Sequence, residues 1–337
     1  MRIAVVYNAV KDNERADEQD VLLQADAVCQ TLAELGYETV RLACTLDLTG
    51  VKEQLEVISP QLVFNLVESL DGRDRMIHLF PALLDTMGVP YTGSCTEALF
   101  LTSNKVLAKE RMVLAGLSTP PWVGPHPKGL PFLSKRLPLP PAGPWIIKSL
   151  WEHGSLGLEK DDFVSEQPLA SLDQTLMERS KGLGGSCFAE VFIQGREFNL
   201  SILQGLEGPE VLPPAEIVFE NFGAEKPTVV GYRAKWETGS FEYHHTPRRF
   251  EFPPEDETLL GRLKSSALRC WDIFGLGGYG RVDFRVDPQG SPFILEVNCN
   301  PCLSPDAGFA AAVLRSGLTF ADAVERIVKD ALLHKKR

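Results

Sequence analysis

Four side chains in the last fifth of the chain are spaced to do chemistry: Arg281, Asp283, Glu296 and Asn298. They lie in RVDFRV (281–286) and FILEVN (293–298), two alternating runs joined by Asp287-Pro288-Gln289-Gly290. That linker suits a tight turn, because proline presets φ at the second position and glycine relieves the last. Successive side chains of a strand point to opposite faces, so Arg281 and Asp283 share a face while Val282, Phe284 and Val286 share the other. On the return strand Glu296 and Asn298 lie together, with Leu295 and Val297 opposite. A four-residue turn sets Glu296 across from Arg281, with Asp283 on the diagonal. Two carboxylates and an amide oxygen are hard ligands of the kind Mg²⁺ takes and shares with phosphate. The arginine would face charge developing in phosphoryl or acyl transfer. The same residues also read as a solvated strand face with one Arg–Glu pair, worth under about 1 kcal/mol.

Other motifs carry less. Gly275 to Gly280 fits G-x-G-x-x-G, but it follows the helical pattern of residues 257–274 and precedes a strand. A nicotinamide-binding turn needs the reverse order, so that a helix N-terminus meets the pyrophosphate. Gly275 reads instead as a helix C-cap. Gly154-Ser155-Leu156-Gly157 suits a backbone cradle for phosphate and equally a plain hairpin turn. Cys299 and Cys302 form C-x-x-C after a strand rather than at a helix start, which favours packing or backbone use over redox or metal use.

The elements that must position these groups fall into a recognisable order. Residues 2–95 read as βαβ units: strands at 3–7, 38–42 and 62–66, helices at 20–35 and 76–87, and a further strand entered at Pro90-Tyr91. That alternation predicts a mostly parallel sheet covered on both faces. A helix is expected over 103–116, capped by Ser103 or Asn104, then a proline-rich irregular connector over 119–144 with room for short extended pieces. Strands follow at 145–148 and 188–193, the latter pairing with 197–203 through a turn at 194–196. Residues 235–254 lack a period and read as a long loop, and 319–333 as a closing amphipathic helix.

Composition bounds the function. The formal net charge of -11 removes the positive field that nucleic acid or an anionic membrane surface needs. No apolar run approaches the length of a spanning helix, the start lacks a signal-peptide layout, and seven cysteines without framework spacing suit a reducing cytoplasm.

Taken in order, the motifs PYTGS (90–94), NK (104–105), IIK (146–148), HGSLG (153–157), AEVFIQGREF (189–198), YRAKW (232–236), GYGRVDF (278–284) and LEVNCNP (295–301) resemble the ATP-grasp superfamily, and within it the D-alanine–D-alanine ligases. The resemblance implies an α/β fold, α+β in its ATP-grasp part, with an N-terminal parallel-sheet domain (1–95), a central lid-bearing subdomain (96–187) and a C-terminal subdomain carrying the metal site (188–337). It implies that Lys105 and Lys148 contact ATP phosphates and that Gly154, Ser155 and Gly157 close over them. Glu190, with the backbone of Val191 and Ile193, becomes the adenine hinge. Glu197 becomes the ribose ligand and Lys235 a further phosphate contact. Asp283, Glu296 and Asn298 become ligands for two Mg²⁺ ions, for which Mn²⁺ can substitute. Arg281, with the backbone N–H of Cys302, becomes the stabiliser of a tetrahedral intermediate. A homodimer is also in keeping with such ligases.

The amino-acid half departs from the family pattern. The glutamate expected after the first strand has only Glu14 or Glu18 as a substitute. The positions of a family histidine and of two serines fall at Glu68, Gly154 and Ala307, a tyrosine position falls at Trp236, and Pro-Gly-(Met/Leu)-Thr becomes Pro301-Cys302-Leu303-Ser304. These changes, which make Glu68, Glu14 and Ser304 the candidate substrate contacts, favour substrates other than D-alanine, with Glu68 suited to an amino group. The expected activity is ATP-dependent ligation of a carboxylate to an amine through an acyl phosphate. A D-alanine–D-alanine ligase with a remodelled pocket and a non-catalytic ATP-binding module are the alternatives.

Overall fold

The computed structural model describes residues 1–10, 16–126, 139–140, 142–151, 163–223 and 226–333. The chain opens with β1 (Arg2–Asn8), α1 (Ala16–Glu34), β2 (Glu38–Cys44), α2 (Leu48–Ile58) and β3 (Leu62–Leu66). The strands pair in parallel in the order β2-β1-β3. Both faces of β1 are apolar, and both are covered. Ile3 and Val5 pack with Val21, Val28 and Leu32 of α1, while Ala4 and Val6 pack with Val51 and Leu55 of α2. A 3-10 turn at Asp74–Met76 leads into α3 (Leu79–Met87), where a continuous helix over 76–87 was expected.

Next come α4 (Thr96–Ser103), α5 (Lys105–Leu114), β4 (Trp122–His126), β5 (Ala142–Ser149), β6 (Phe163–Pro168), α6 (Leu172–Arg179) and β7 (Cys187–Val191). Asn104 separates the first two helices, its side-chain oxygen accepting from the backbone N–H groups of Val106 and Leu107. The strands form an antiparallel sheet in the order β4-β7-β5-β6, and Leu172 and Leu176 of α6 seal it against Trp145 and Ile147.

The remainder comprises β8 (Arg196–Gln204), β9 (Pro209–Val211), β10 (Ala215–Ile217), α7 (Tyr232–Trp236), α8 (Phe241–His244), β11 (Arg248–Arg249), α9 (Glu257–Phe274), β12 (Tyr279–Val286), β13 (Pro292–Asn298), α10 (Gly308–Arg315) and α11 (Phe320–Leu333). The sheet runs β11-β10-β8-β12-β13, with β9 also paired to β8. Leu263, Ala267, Trp271 and Phe274 of α9 pack against Val282 and Phe284, so α9 covers the apolar face of β12 and the opposite face carries Arg281, Asp283 and Arg285. Gly275 ends α9 in the left-handed conformation, as its sequence context indicates. No described helix is long and apolar enough to cross a membrane.

Several expectations are corrected. The chain at Tyr91 makes a single bridge to Val63 and then turns away at Gly93, whose φ is +86°, so among the described residues no fourth strand joins β3. Residues 197–203 do not pair back on 188–193. At Gly195, with φ +137°, the backbone runs so close to the Val286 carbonyl that an added Cβ would sit 2.0 Å from its oxygen, and the chain crosses from one sheet into the other. The loop over 235–254 contains α8 and β11 and takes in the end of α7, whereas β4 and the start of β5 are short extended pieces of the kind the proline-rich connector leaves room for.

Candidate active site

The β12–β13 hairpin brings the four sequence-predicted groups together in a register different from the one its turn suggests. Arg281 stands opposite Asn298, and Asp283 opposite Glu296. Two causes add. Ser291 joins the turn, its N–H donating to the Asp287 carboxylate at 2.7 Å. The ladder then slips between Asp283 and Phe284, where both backbone groups of Ile294 are engaged elsewhere, by the Ser118 carbonyl and the Thr119 hydroxyl. A slip of two keeps the polar face intact.

Asp283 is the hub of that face. Arg281 approaches it in bidentate fashion, Nε to Oδ1 at 2.8 Å and Nη2 to Oδ2 at 3.0 Å. The amide of Asn199, on β8, donates to Oδ1 at 2.8 Å, and that of Asn298 to Oδ2 at 3.1 Å. Glu296 pairs with Lys105, at the start of α5, at 3.3 Å. Burial opposes the Arg281 charge, but Asp283 and then Glu296 outweigh it and hold its pKa above the usual value. Among the described residues no three His, Cys, Asp or Glu side chains gather as a self-sufficient metal cage. Two carboxylates and an amide on one face, opposite a lysine and an arginine, do fit a hard divalent cation that completes its shell from phosphate and water.

The facing wall is made by β5 and β7. Glu190 is fully buried at the centre of β7, with Lys148 of β5 at 2.5 Å from one carboxylate oxygen and Lys109 of α5 at 2.7 Å from the other. Burial alone would lift the Glu190 carboxyl; the two lysines reverse that and lower it. Lys109 is itself buried, donating to the Thr119 hydroxyl at 2.7 Å and the Pro120 carbonyl at 3.2 Å, and burial pulls its pKa down to about 8. Glu197 lies 3.2 Å from Arg285, and burial keeps its carboxyl raised despite that partner. Lys235, on α7, is lowered first by burial and then by the Arg281 charge, and the carboxylates of Glu296, Asp283 and Glu197 act on it in the other direction.

These walls enclose a cavity of about 960 Å³. It reaches the N-terminal sheet, where Glu68 accepts a hydrogen bond from Gln24 at 2.8 Å. Asp20 of α1 accepts from the Ser304 hydroxyl at 2.7 Å and the Cys302 thiol at 3.0 Å. Burial and the nearby Asp20 and Glu68 carboxylates push that thiol well above its usual pKa.

Of the sequence-predicted residues, Glu68, Lys105, Lys148, Glu190, Val191, Ile193, Glu197, Lys235, Arg281, Asp283, Glu296, Asn298 and Cys302 all line this one cavity. Ser304 is buried behind it, with its hydroxyl bonded to Asp20. Glu14, Gly154, Ser155 and Gly157 lie outside the described residues. Sequence reasoning missed Lys109, Asn199, Asp20 and Arg285. Two of these carried a signal: Lys109 sits in the buried row Val106–Lys109–Met112 of α5, and Arg285 alternates with Arg281 and Asp283.

Comparison with known proteins agrees with this geometry. A family model described as the D-ala D-ala ligase C-terminus matches residues 142–329. The D-alanine–D-alanine ligase of Pelotomaculum thermopropionicum is 30% identical over 325 residues, covering 94% of each chain. The uncharacterized protein y4sG of Sinorhizobium fredii is also 30% identical, over 90% of this chain and 86% of its own. Among solved structures, a D-alanine–D-alanine ligase of Bacillus anthracis complexed with ATP superposes with a TM-score of 0.74 at 20% identity, over 99% of this chain and 98% of that one. The three sheets and the cleft between them are thus an ATP-grasp fold. The chain belongs to the D-alanine–D-alanine ligase family, and it is a ligase of the kind that forms a C–N bond.

Proposed function

We propose that the chain joins a carboxylate to an amine at the expense of ATP, through an acyl phosphate, with substrates other than a pair of D-alanines. The observation that carries this is the convergence of Asp283, Glu296, Asn298 and Arg281 with Lys105 and Lys148 on one cavity. In this reading a substrate carboxylate oxygen attacks the γ-phosphorus as the bond to ADP breaks. The amine nitrogen then attacks the acyl carbon, the bond to phosphate breaks, and the amine proton leaves with the products. Both steps move negative charge among oxygens, which fixed cations stabilise without reorganising. Asp283, Glu296 and Asn298 would hold Mg²⁺, which when bound would neutralise phosphate charge and orient the triphosphate; two ions are expected, with Mn²⁺ as a substitute. Lys105, Lys148 and Lys235 would bind phosphate oxygens. Glu190, with the backbone of Val191 and Ile193, would receive the adenine, and Glu197 the ribose. Arg281 and the Cys302 backbone N–H would face the tetrahedral oxyanion. Glu68 would take an amino group.

We assign residues 1–95, 96–187 and 188–337 to the three domains and the enzyme to the cytoplasm. The name of the Pelotomaculum relative supports a second reading, a D-alanine–D-alanine ligase with an altered pocket. Both readings are tested by ADP release over pairs of amino acids and small acids, with Asp283→Asn as the blank. Release with D-alanine alone selects the second, and no release with any pair removes both in favour of a nucleotide-binding module.

A further inference from the structure

The reaction outlined above gives no task to Arg285, which follows Arg281 and Asp283 on the same face of β12. The residue is buried, yet it lines the cavity. In the β8–β12 ladder Arg285 stands directly opposite Glu197, and Asp283 opposite Asn199. Cross-strand partners of an antiparallel pair share a face, so β8 presents Glu197 and Asn199 beside the arginine and the aspartate. The Arg285 Nε lies 3.2 Å from Glu197 Oε2. Among the described residues the Glu197 side chain makes no other ion pair or hydrogen bond, so its Oε1 is left without a protein partner. The guanidinium itself is tied down. Nη1 donates to the Gly195 carbonyl at 2.9 Å, and Nη2 donates to the Thr228 carbonyl. Its central carbon lies 5.1 Å from the centre of the Phe192 ring and 5.5 Å from that of Phe219. All three nitrogens are thus engaged, by the turn between β7 and β8, by β8 itself and by the stretch before α7.

An arginine engaged at every nitrogen is a poor receiver for an incoming phosphate and a firm support for the carboxylate beside it. We propose that Arg285 is a positioning residue for nucleotide selection: it fixes the Glu197 carboxylate to meet the ribose hydroxyls, and so sets a preference for a ribonucleotide over its 2′-deoxy and 3′-deoxy counterparts. This rests on the assignment of Glu197 to the ribose and adds the residue that makes that contact selective. An acceptor already held in place does not have to be ordered when the ligand arrives, so each hydroxyl contributes its full hydrogen bond. A Glu197 carboxylate free to turn would bond the hydroxyls poorly, and a nucleotide lacking one of them would lose little.

The test is calorimetric titration with ADP, 2′-deoxyADP and 3′-deoxyADP in the presence of Mg²⁺, which needs neither a carboxylate nor an amine substrate. It compares the unaltered chain with Arg285→Met, Arg285→Lys, Glu197→Gln and the double variant Arg285→Met with Glu197→Gln. The double variant leaves no buried carboxylate without its counter-ion, so it keeps the test open should Arg285→Met alone fail to fold. The unaltered chain should bind ADP at least about tenfold more tightly than either deoxy form. Arg285→Met should bring that ratio to within about twofold by weakening ADP alone. Arg285→Lys, which keeps the charge but not the fork, should recover part of it. Glu197→Gln should lower the ratio, and adding Arg285→Met to it should change the ratio no further, because the arginine acts through Glu197. A purely structural strand pair, or a disturbance of neighbouring Asp283, would weaken the three nucleotides alike; a ratio unchanged in Arg285→Met therefore overturns the assignment. A further fall in the ratio in the double variant overturns it too, since the arginine would then act on the sugar directly. A ratio undiminished in Glu197→Gln removes the ribose assignment along with it, and failure to bind any of the three removes the nucleotide reading itself.

Discussion

Replacing Lys109 with methionine tests how the nucleotide wall is built. The ammonium is almost wholly enclosed, at 1% side-chain exposure, and touches three acceptors: Glu190 at 2.7 Å, the Thr119 hydroxyl at 2.7 Å and the Pro120 carbonyl at 3.2 Å. Methionine fills much of the space, so little of the loss is cavity. The loss comes from a buried carboxylate deprived of one of its two counter-ions. Removing one partner of a buried pair costs about 3–5 kcal/mol, and because Lys148 remains on Glu190 the lower end, about 3 kcal/mol, applies. Urea unfolding followed by tryptophan fluorescence reads this, with buried Trp122 beside Lys109 as a local reporter. Lys109→Met with Glu190→Gln should lose clearly less than the sum of the single changes, since the double variant no longer holds a buried carboxylate short of one counter-ion. pH supplies an independent check. The folded-state pKa of Lys109 is pulled by burial to about 8, below the ordinary 10.5, so between those values the unfolded chain holds a proton that the folded chain has shed. This group therefore makes the fold more stable as pH rises through that window, and the increment should vanish in Lys109→Met. A midpoint within about 0.5 kcal/mol of the parent, or strict additivity in the double variant, refutes the reasoning.

Asp283→Asn should fold normally yet release ADP at least about a hundredfold more slowly, because Arg281 loses its bidentate partner and the oxygen face loses a charge; turnover at the parent rate dismisses the metal assignment. Glu68→Gln should raise KM for the amine-bearing substrate about tenfold and leave that for ATP unchanged, and no movement in either removes Glu68 from the site. Gly195→Ala should destabilise the fold by about 2 kcal/mol or more and raise KM for ATP, since its Cβ would stand 2.0 Å from the Val286 oxygen two residues before Glu197; an unchanged unfolding midpoint contradicts this.

Elements whose periodicity is local were legible. Helix α9, strand β3 and the Gly275 cap follow from spacing within a few residues, and the two faces of β12 follow from simple alternation. The hairpin register was not, because its slip depends on Ile294 bonding to Ser118 and Thr119, some 175 residues away in sequence. The sheet change at Gly195 was hidden for the same reason: a glycine in a turn looks alike whether the next strand returns or leaves. α2 was overlooked although Asp47 caps it and Val51 and Leu55 bury its face, a signal that was present. For the candidate site, the residues on the hairpin and in β5 and β7 were legible as an ordered series of motifs. Asp20 and Asn199 were not, since each matters only through neighbours that tertiary folding supplies.

A crystal soaked with Mg²⁺ and a non-hydrolysable ATP analogue tests the central claim most directly. The account predicts a triphosphate lying between the Lys148–Glu190 wall and the β12–β13 face, with Mg²⁺ on Asp283 and Glu296. Nucleotide bound elsewhere, or those two carboxylates turned away from an empty face, would contradict it.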